Sequence, residues 1–358
     1  MPANIIGIMS GSSLDGLDFA LCHIEETSDS IKWEIKDALT IPYSDQWYEL
    51  LSSASGLSGF DLMQLDAYYG DLIGERTKEL INTRGWNADY ISSHGHTVFH
   101  EPTLGFTTQI GNGAHISFHA GLDTITSFRN ADVAAGGQGA PFAPAADRIL
   151  FQGFEGYLNL GGIANTNIMN QNDQWFAWDI CPCNQVLNFL ARRSSLTHDK
   201  GGLMAAEGAI LDTIRHELIA MFPFEGGSPR GLSNAQVQST WIQYLASRNE
   251  KVEDLLGTTT LAIADVITLH VSSLIKRPAK ILVTGGGTYN DHLIKLLRSH
   301  GSDFGLNYEI PDPVLIEFKE SLLMAYLGYL TMNGKPYDIH SLTGASLNTG
   351  GGALYKAV

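Results

Sequence analysis

At 358 residues, 44% hydrophobic and only 17% charged, the chain has the length and apolar content for two domains with substantial cores, which excludes wholesale disorder. Its 22 basic and 38 acidic residues leave a net charge of −16 with no Lys/Arg cluster, an argument against nucleic acid or an anionic membrane as partner. The apolar runs read as shorter than a membrane span, no basic region leads into an apolar one near the start, and three cysteines make no disulfide framework, so a soluble cytoplasmic protein is expected.

The first element is a short apolar run, Ile5, Ile6, Ile8 and Met9, of the kind that forms a buried strand. Ser10, Gly11, Ser12 and Ser13 break it, and Leu14-Asp15-Gly16 reads as a turn with positive φ at the glycine. Alternation resumes through Leu17, Phe19 and Leu21 against Asp18 and Ala20, predicting a second strand. A loop of small residues between two strands leaves backbone N–H groups free to cradle phosphate oxygens; an ordinary hairpin turn is the competing reading. Residues 31–40 extend the same sheet. Residues 61–84 carry Leu62, Leu65, Tyr69, Leu72, Ile73, Leu80 and Ile81 near helical period, with Asp61 as cap and Gly85 as stop. Short strands are predicted at 90–93, 107–110, 115–118 and 123–127.

A glycine-dense loop follows at 136–141. Beyond it, residues 157–160, Gly161-Gly162 and 163–169 repeat the opening strand–turn–strand unit about 150 residues on, which suggests a duplicated fold. The second half reads as mainly helical, over 184–193, 203–222, 258–276, 291–300 and 320–332. A buried strand at 280–284 runs into Gly285-Gly286-Gly287 and then a helix, the form of a nucleotide-binding turn. The glycine spacing is not that of a dinucleotide fingerprint, no βαβ unit is expected after it, and there is no P-loop. Glycine turns at Gly11, Gly161 and Gly285, each at a strand end, together point to a phosphate-rich ligand held between two halves.

His94, His96 and His100 invite a metal reading, but hydrolytic zinc sites want further ligands in register, and hydrogen bonding to a polar substrate is the favoured role. Cys181-Pro182-Cys183 is too closely spaced for a redox pair, so inert cysteines are expected. Asp179 follows the apolar strand 175–178 and precedes a proline turn. It suits either a general base at a strand end or the cap of the helix beginning near Asn184, and spacing does not choose.

Taken together, these motifs resemble the anhydro-N-acetylmuramic acid kinases over essentially the whole chain. The resemblance is carried by Met9 to Asp18 (MSGSSLDGLD), His94 to Pro102 (HGHTVFHEP), Gln109-Ile-Gly111, Phe128-Arg129 with Asp132, Gly136 to Pro141, and Asn159 to Asn165 (NLGGIAN). Gly285-Gly-Gly287 with Asn290, Glu320 and Thr343-Gly-Ala345 continue it in the family's order. It implies a two-domain α/β actin-like fold of the sugar kinase and heat-shock chaperone type, with residues 1–126 plus 336–358 as one domain, 127–335 as the other, and ATP in a central cleft. The implied activity cleaves the 1,6-anhydro bond of a recycled cell-wall amino sugar with water and phosphorylates position six, giving N-acetylmuramic acid 6-phosphate. Asp179 falls where the family keeps its catalytic aspartate. The resemblance further implies that Gly11, Ser12, Ser13, Leu14, Asp15, Gly16, Leu17, Asp18, Gly161 and Gly162 hold the phosphates of ATP. Gly285, Gly286, Gly287 and Asn290 then pack on adenosine, and Mg²⁺ is held through waters by Asp15 or Asp18. His94, Gln109, Arg129, Asp132, Gln138 and Glu320 are its candidates for gripping the sugar, and a homodimer is implied.

Two segments depart from the family. Its aspartate is usually followed by Thr-Gly-Pro-Gly-Asn, whereas this chain reads Ile180-Cys-Pro-Cys-Asn184; a downstream Lys-Ser-Thr-Gly-Arg-Glu is replaced by Arg230-Gly-Leu-Ser-Asn-Ala235. A kinase for a different amino sugar, or an inactive nucleotide-regulated binding protein on the same fold, are the alternatives these changes raise.

Overall fold

The apolar run at the start forms β1 (Ala3–Ser10), which returns as β2 (Gly16–Glu26) and again as β3 (Ile31–Pro42), both turns antiparallel. The structure is a computed structural model that describes all residues except Ser12, Ser13, Asp29, Pro141, 225–230 and Val358, and the side chains of Pro144, Ala145 and Ser341. β2 is buried along most of its length, whereas β3 alternates between half-buried and exposed positions as an edge strand should. β4 (Tyr90–Ser93) lies parallel to β1 and leads into a separate hairpin of β5 (His96–Glu101) and β6 (Phe106–Ile110). β7 (Thr124–Thr126) is parallel to β4, giving the order β3-β2-β1-β4-β7 with the chain's last strand (Ala353–Tyr355) antiparallel at the edge.

Helix Gly59–Arg84 covers this sheet, burying Leu65, Tyr69, Ile73 and Leu80 with Ile6, Ile8 and Phe19 of the strands. Its cap is Ser58, whose hydroxyl accepts from Asp61 N at 3.2 Å, and not Asp61 itself; Gly85 ends it in the left-handed conformation at φ 67°. The predicted strand at 115–118 is instead part of helix Gly113–Ala120. Asn112 caps it by accepting from Ala114 N at 3.1 Å and Gly121 stops it at φ 72°. Over so short a span, Ile116 and Ala120 four apart were indistinguishable from alternation.

The second unit repeats the plan. β8 (Gly156–Leu160), β9 (Ile163–Met169) and β10 (Trp175–Pro182) form an antiparallel meander, and β11 (Ala279–Thr284) and β12 (Leu306–Glu309) continue from β8 in parallel. The order β10-β9-β8-β11-β12 thus matches β3-β2-β1-β4-β7, the duplicated arrangement of α/β units that the repeated strand–turn–strand pattern suggests. β11, helix Asp291–Ser302 and β12 do form a βαβ unit, contrary to expectation. With four residues, of which only Leu306 and Tyr308 are buried, β12 is too short to announce itself by pattern.

The predicted helix at 203–222 is two, Leu203–Glu207 and Asp212–Ala220. They part at Gly208, where a Cβ would lie 2.0 Å from Glu253 O, so the chain passes too close to helix Val252–Leu274 for any side chain. That helix begins earlier than predicted and is long and apolar enough to cross a membrane, which the sequence reading missed. It is mostly buried, packed in the unit's core with Leu187, Leu218 and Ile281, as a central helix of a globular unit is.

Backbone contacts divide the chain into Met1–Phe151 with Phe318–Val358, and Gln152–Glu317, so residues 127–151 and 318–335 belong to the first unit and not, as expected, to the second. Their contacts explain it. Trp33 Nε1 donates to Leu150 O at 2.6 Å, Ser92 Oγ donates to Met324 O at 2.5 Å, and Ser321 Oγ donates to Asp18 O at 3.1 Å. Helix Pro313–Met332 kinks at Phe318, and beyond the kink it packs so closely on β1 that a Cβ at Gly7 would lie 1.9 Å from Ser321 O.

Candidate active site

Each unit carries one part of the expected chemistry. In the first, the turn between β1 and β2 includes Ser12 and Ser13, which lie outside the described residues. Leu14 N donates to Gly11 O at 3.3 Å, and positive φ falls on Leu14 at 58° and not on Gly16. Gly16 is required for a different reason: a Cβ there would lie 2.4 Å from Ile41 O on the neighbouring strand. Leu17 is a core residue, 1% exposed, and offers a ligand only its backbone. Asp15 is exposed; Asp18 is half-buried and accepts from Thr40 Oγ1 at 2.5 Å.

Four of the six sugar candidates, His94, Arg129, Glu320 and Gln138, gather with His100 around one feature. His94 follows β4 directly, and its N donates to Ile8 O at 3.0 Å. Arg129 Nε donates to His94 Nε2 at 3.1 Å, so the imidazole carries its proton on Nδ1 and gives it to Gly95 O at 2.9 Å. Burial, then the Arg129 charge, push the His94 pKa down to about 3, and the ring is neutral. Burial lowers Arg129 too, opposed by the Glu320 carboxylate. Glu320 is exposed; desolvation raises its pKa foremost, against Lys319 and with Asp18. His100 is pushed below its ordinary value by burial and Arg129, and its ring lies near the backbone of exposed Gln138.

Gln109 and Asp132 stand apart from that group. Gln109 spends its amide N–H₂ on Thr107 Oγ1 at 2.7 Å and Thr97 Oγ1 at 3.4 Å, leaving its buried Oε1 without a partner among the described residues. Asp132 is fully buried: Oδ2 accepts from Gly139 N at 2.7 Å and Oδ1 from Thr343 Oγ1 at 2.8 Å. The geometry makes it a brace for the glycine loop, with no exposed surface for a ligand. Pro141, at the end of that loop, lies outside the described residues.

In the second unit, Asp179 lies within β10, which continues to Pro182 past a bulge between Asp179 and Cys181, so no proline turn follows it. It is paired with Asn165, which is paired in turn with Asn159. Asp179 Oδ2 accepts from Leu232 N at 2.7 Å. It does not cap the next helix: Cys183 is the N-cap of Asn184–Arg192, with no side-chain capping bond. Gly161 O and Gly162 O accept from Asn184 N at 3.1 Å and Cys183 N at 2.9 Å, so the glycine turn rests on that helix's start. The altered downstream segment still reaches the site. Leu232 bonds Asp179, and Asn234 Oδ1 accepts from Gln185 Nε2 at 2.9 Å, while a Cβ on Gly162 would lie 2.9 Å from Gln185 Cγ. Arg230 lies outside the described residues. The cysteines that replace two family glycines are wholly buried in the core, where burial pushes the Cys183 thiol to about 12, so their bulk is absorbed away from solvent.

Gly285 turns out of β11 at φ 88°, and a Cβ there would strike Asn159 Oδ1 at 2.5 Å. Gly287 sits against Leu160, and Asn290 caps the next helix by accepting from Leu293 N at 3.0 Å. Gly286 and Asn290 open on a cavity of 570 Å³ whose walls also include Asn184, His198, Lys200 and Tyr289. Its volume suits a nucleoside. His198, Lys200 and Tyr289 belong to no motif and were missed; the signal available was the pair Gly201-Gly202, since a Cβ at Gly202 would lie 2.1 Å from Asn290 Oδ1. Among the described residues, no three His, Cys, Asp or Glu side chains come together as a metal cage. Mg²⁺ does not need one, because it keeps several waters and takes one or two carboxylates, which Asp15 and Asp18 beside the first turn can supply.

The sequence profile of the family described as anhydro-N-acetylmuramic acid kinase matches residues 3–357. Relatives of that name are similar along their whole length. The protein from Bacillus cereus (strain AH187) is 29% identical over 95% of this chain and 96% of its own. Those from Hydrogenovibrio crunogenus and Microcystis aeruginosa are each 29% identical over 98% of this chain, and 97% and 100% of theirs.

Proposed function

The chain belongs to the anhydro-N-acetylmuramic acid kinase family, and on that premise we propose how its own residues divide the reaction. The protein is an ATP-dependent amino-sugar kinase of cell-wall recycling. Water attacks the anomeric carbon of the anhydro sugar, the bond from that carbon to the oxygen at position six breaks, and the released oxygen attacks the γ-phosphorus of ATP. The products are N-acetylmuramic acid 6-phosphate and ADP.

Asp179 accepts the proton from the attacking water. The supporting observation is its place within β10 with one oxygen fixed at 2.7 Å by Leu232 N, which orients the carboxylate. Arg129, held by neutral His94, pairs with the lactyl carboxylate of the sugar, a use suited to a planar fork of donors. Gln109 Oε1, Glu320 and Gln138 are proposed as acceptors for sugar hydroxyl and amide groups. Asp132 is proposed to act only by holding the Gly136–Gly139 loop. The turn at Gly11–Gly16 and the turn at Gly161-Gly162 supply backbone donors to the phosphates, and the cavity at Gly286 and Asn290 takes adenosine. Mg²⁺ on Asp15 or Asp18 neutralises phosphate charge when bound. The same reading makes the protein a cytoplasmic homodimer. Three free, buried cysteines support a reducing compartment, and the net charge of −16 speaks against nucleic acid.

Asp179→Asn tests the assignment. The amide keeps an oxygen for Leu232 N but loses the base, so phosphosugar formation should fall by about 10² to 10⁴ while ATP affinity is retained. Undiminished turnover would place the base elsewhere.

A further inference from the structure

We propose that Tyr43 is a positioning residue that sets the shape of the phosphate-binding turn by tying its two ends together. The inference rests on the reading of Gly11–Gly16 as a phosphate loop. Among the described residues of that turn, Leu14 packs against the core, Asp15 is exposed, and one backbone bond within the turn runs from Leu14 N to Gly11 O at 3.3 Å. Tyr43 follows the last residue of β3 and grips both sides. Its N–H donates to Asp15 O at 3.3 Å, and its hydroxyl lies 2.9 Å from Ser10 Oγ, at the residue where β1 ends.

The grip is anchored from behind. Tyr43 OH lies 2.5 Å from the hydroxyl of Tyr69, a fully buried residue of helix Gly59–Arg84, and the Trp47 ring packs on Tyr69 at 5.7 Å. On the other side Ser10 Oγ meets His96 Nδ1 at 3.4 Å. Burial holds the His96 pKa below its ordinary value, so the imidazole is neutral and the hydroxyls of Tyr43 and Ser10 can each donate to one neighbour and accept from the other. A row of side chains from a helix, two strand ends and a hairpin thus converges on one serine beside the turn. An ordinary core tyrosine needs one partner for its hydroxyl. Tyr43 has two, and its backbone binds the far end of the same turn. Backbone donors aimed at an anion gain affinity when their loop is ordered before the ligand arrives.

The test is steady-state kinetics of the full chain with Mg-ATP and 1,6-anhydro-N-acetylmuramic acid. Tyr43→Phe removes the hydroxyl and keeps the ring, so KM for ATP should rise about three- to tenfold, with kcat and KM for the sugar near wild type. Tyr69→Phe removes a hydroxyl from the same buried row but leaves the bond between Tyr43 and Ser10. Its KM for ATP should stay within about twofold of wild type even if it lowers thermal stability as much. An unchanged KM for ATP in Tyr43→Phe, or an equal rise in both variants, would overturn the inference. Asp18→Asn separates this from the reading beneath it. If the phosphate-loop assignment is wrong, neither Asp18→Asn nor Tyr43→Phe alters ATP saturation. If only the role of Tyr43 is wrong, Asp18→Asn alone does.

Discussion

Asp132 offers the sharpest contrast between a motif and its geometry. Its family context suggested a sugar ligand, but its carboxylate is 0% exposed and both oxygens are taken, Oδ2 by Gly139 N at 2.7 Å and Oδ1 by Thr343 Oγ1 at 2.8 Å. Gly137 has no side chain because a Cβ would lie 2.3 Å from Oδ2. Asp132→Ala leaves the buried Gly139 N–H unpaired and takes from the Thr343 hydroxyl its shorter acceptor, with Ile339 O at 3.3 Å as the other. At about 1.5–3 kcal/mol for each of these two hydrogen bonds to a charged group, the variant should lose about 3–6 kcal/mol of stability. Asp132→Asn should lose only about 1 kcal/mol, because its oxygen can face Gly139 N while its amide donates to Thr343 Oγ1. Urea unfolding followed by tryptophan fluorescence measures both, since Trp33, Trp47 and Trp86 all lie in the first unit. A brace predicts that the two variants rank by stability, with KM for the sugar near wild type in Asp132→Asn. An Asp132→Ala protein that unfolds at the wild-type midpoint while its KM for the sugar rises would refute the reasoning and restore the ligand role.

Two further predictions concern buried charge in the same unit. The His94 pKa is held at about 3 against an ordinary 6.5, so between those values the unfolded chain binds the extra proton and stability rises with pH. Unfolding midpoints should therefore fall as pH drops from 6.5 toward 3, and His94→Gln should flatten that slope. A slope unchanged in the variant would assign the acid sensitivity to other groups. Lys319 Nζ lies 3.2 Å from Asp147 Oδ1, with side chains 14% and 9% exposed, and burial already raises the Asp147 pKa. Lys319→Met should cost about 3 kcal/mol by stranding that carboxyl, and adding Asp147→Asn should recover much of the loss. Additive losses in the double variant would show that the pair does not interact.

Most of the fold was legible because period and punctuation survive in a single chain. The runs ending at Ser10 and Leu160 are strands, and Gly85 ends its helix; the repeat of strand, glycine turn and strand does mark two units with one sheet order. What escaped was short or defined by approach. β12 and helix Gly113–Ala120 are too brief for a period to declare itself, and the break at Gly208 comes from the backbone of a residue 45 positions away, as the glycine contact at Glu253 O records. The domain boundary moved for the same reason, since residues 318–332 are assigned to β1 by packing that no local pattern encodes.

For the site, residue identity carried the family, the general type of chemistry and the candidates, because glycines at strand ends and a lone carboxylate in a strand are chemical facts of the chain. Tertiary structure decided what each candidate is able to do. It turned Asp132 inward as a brace and Leu17 into the core, gave Asp179 the N–H of Leu232, and made His94 a neutral acceptor for Arg129. It also brought Tyr43 to both ends of a turn more than 25 residues before it. A hydrogen bond depends on where two atoms stop, and burial on what surrounds them, and neither is written in the order of residues.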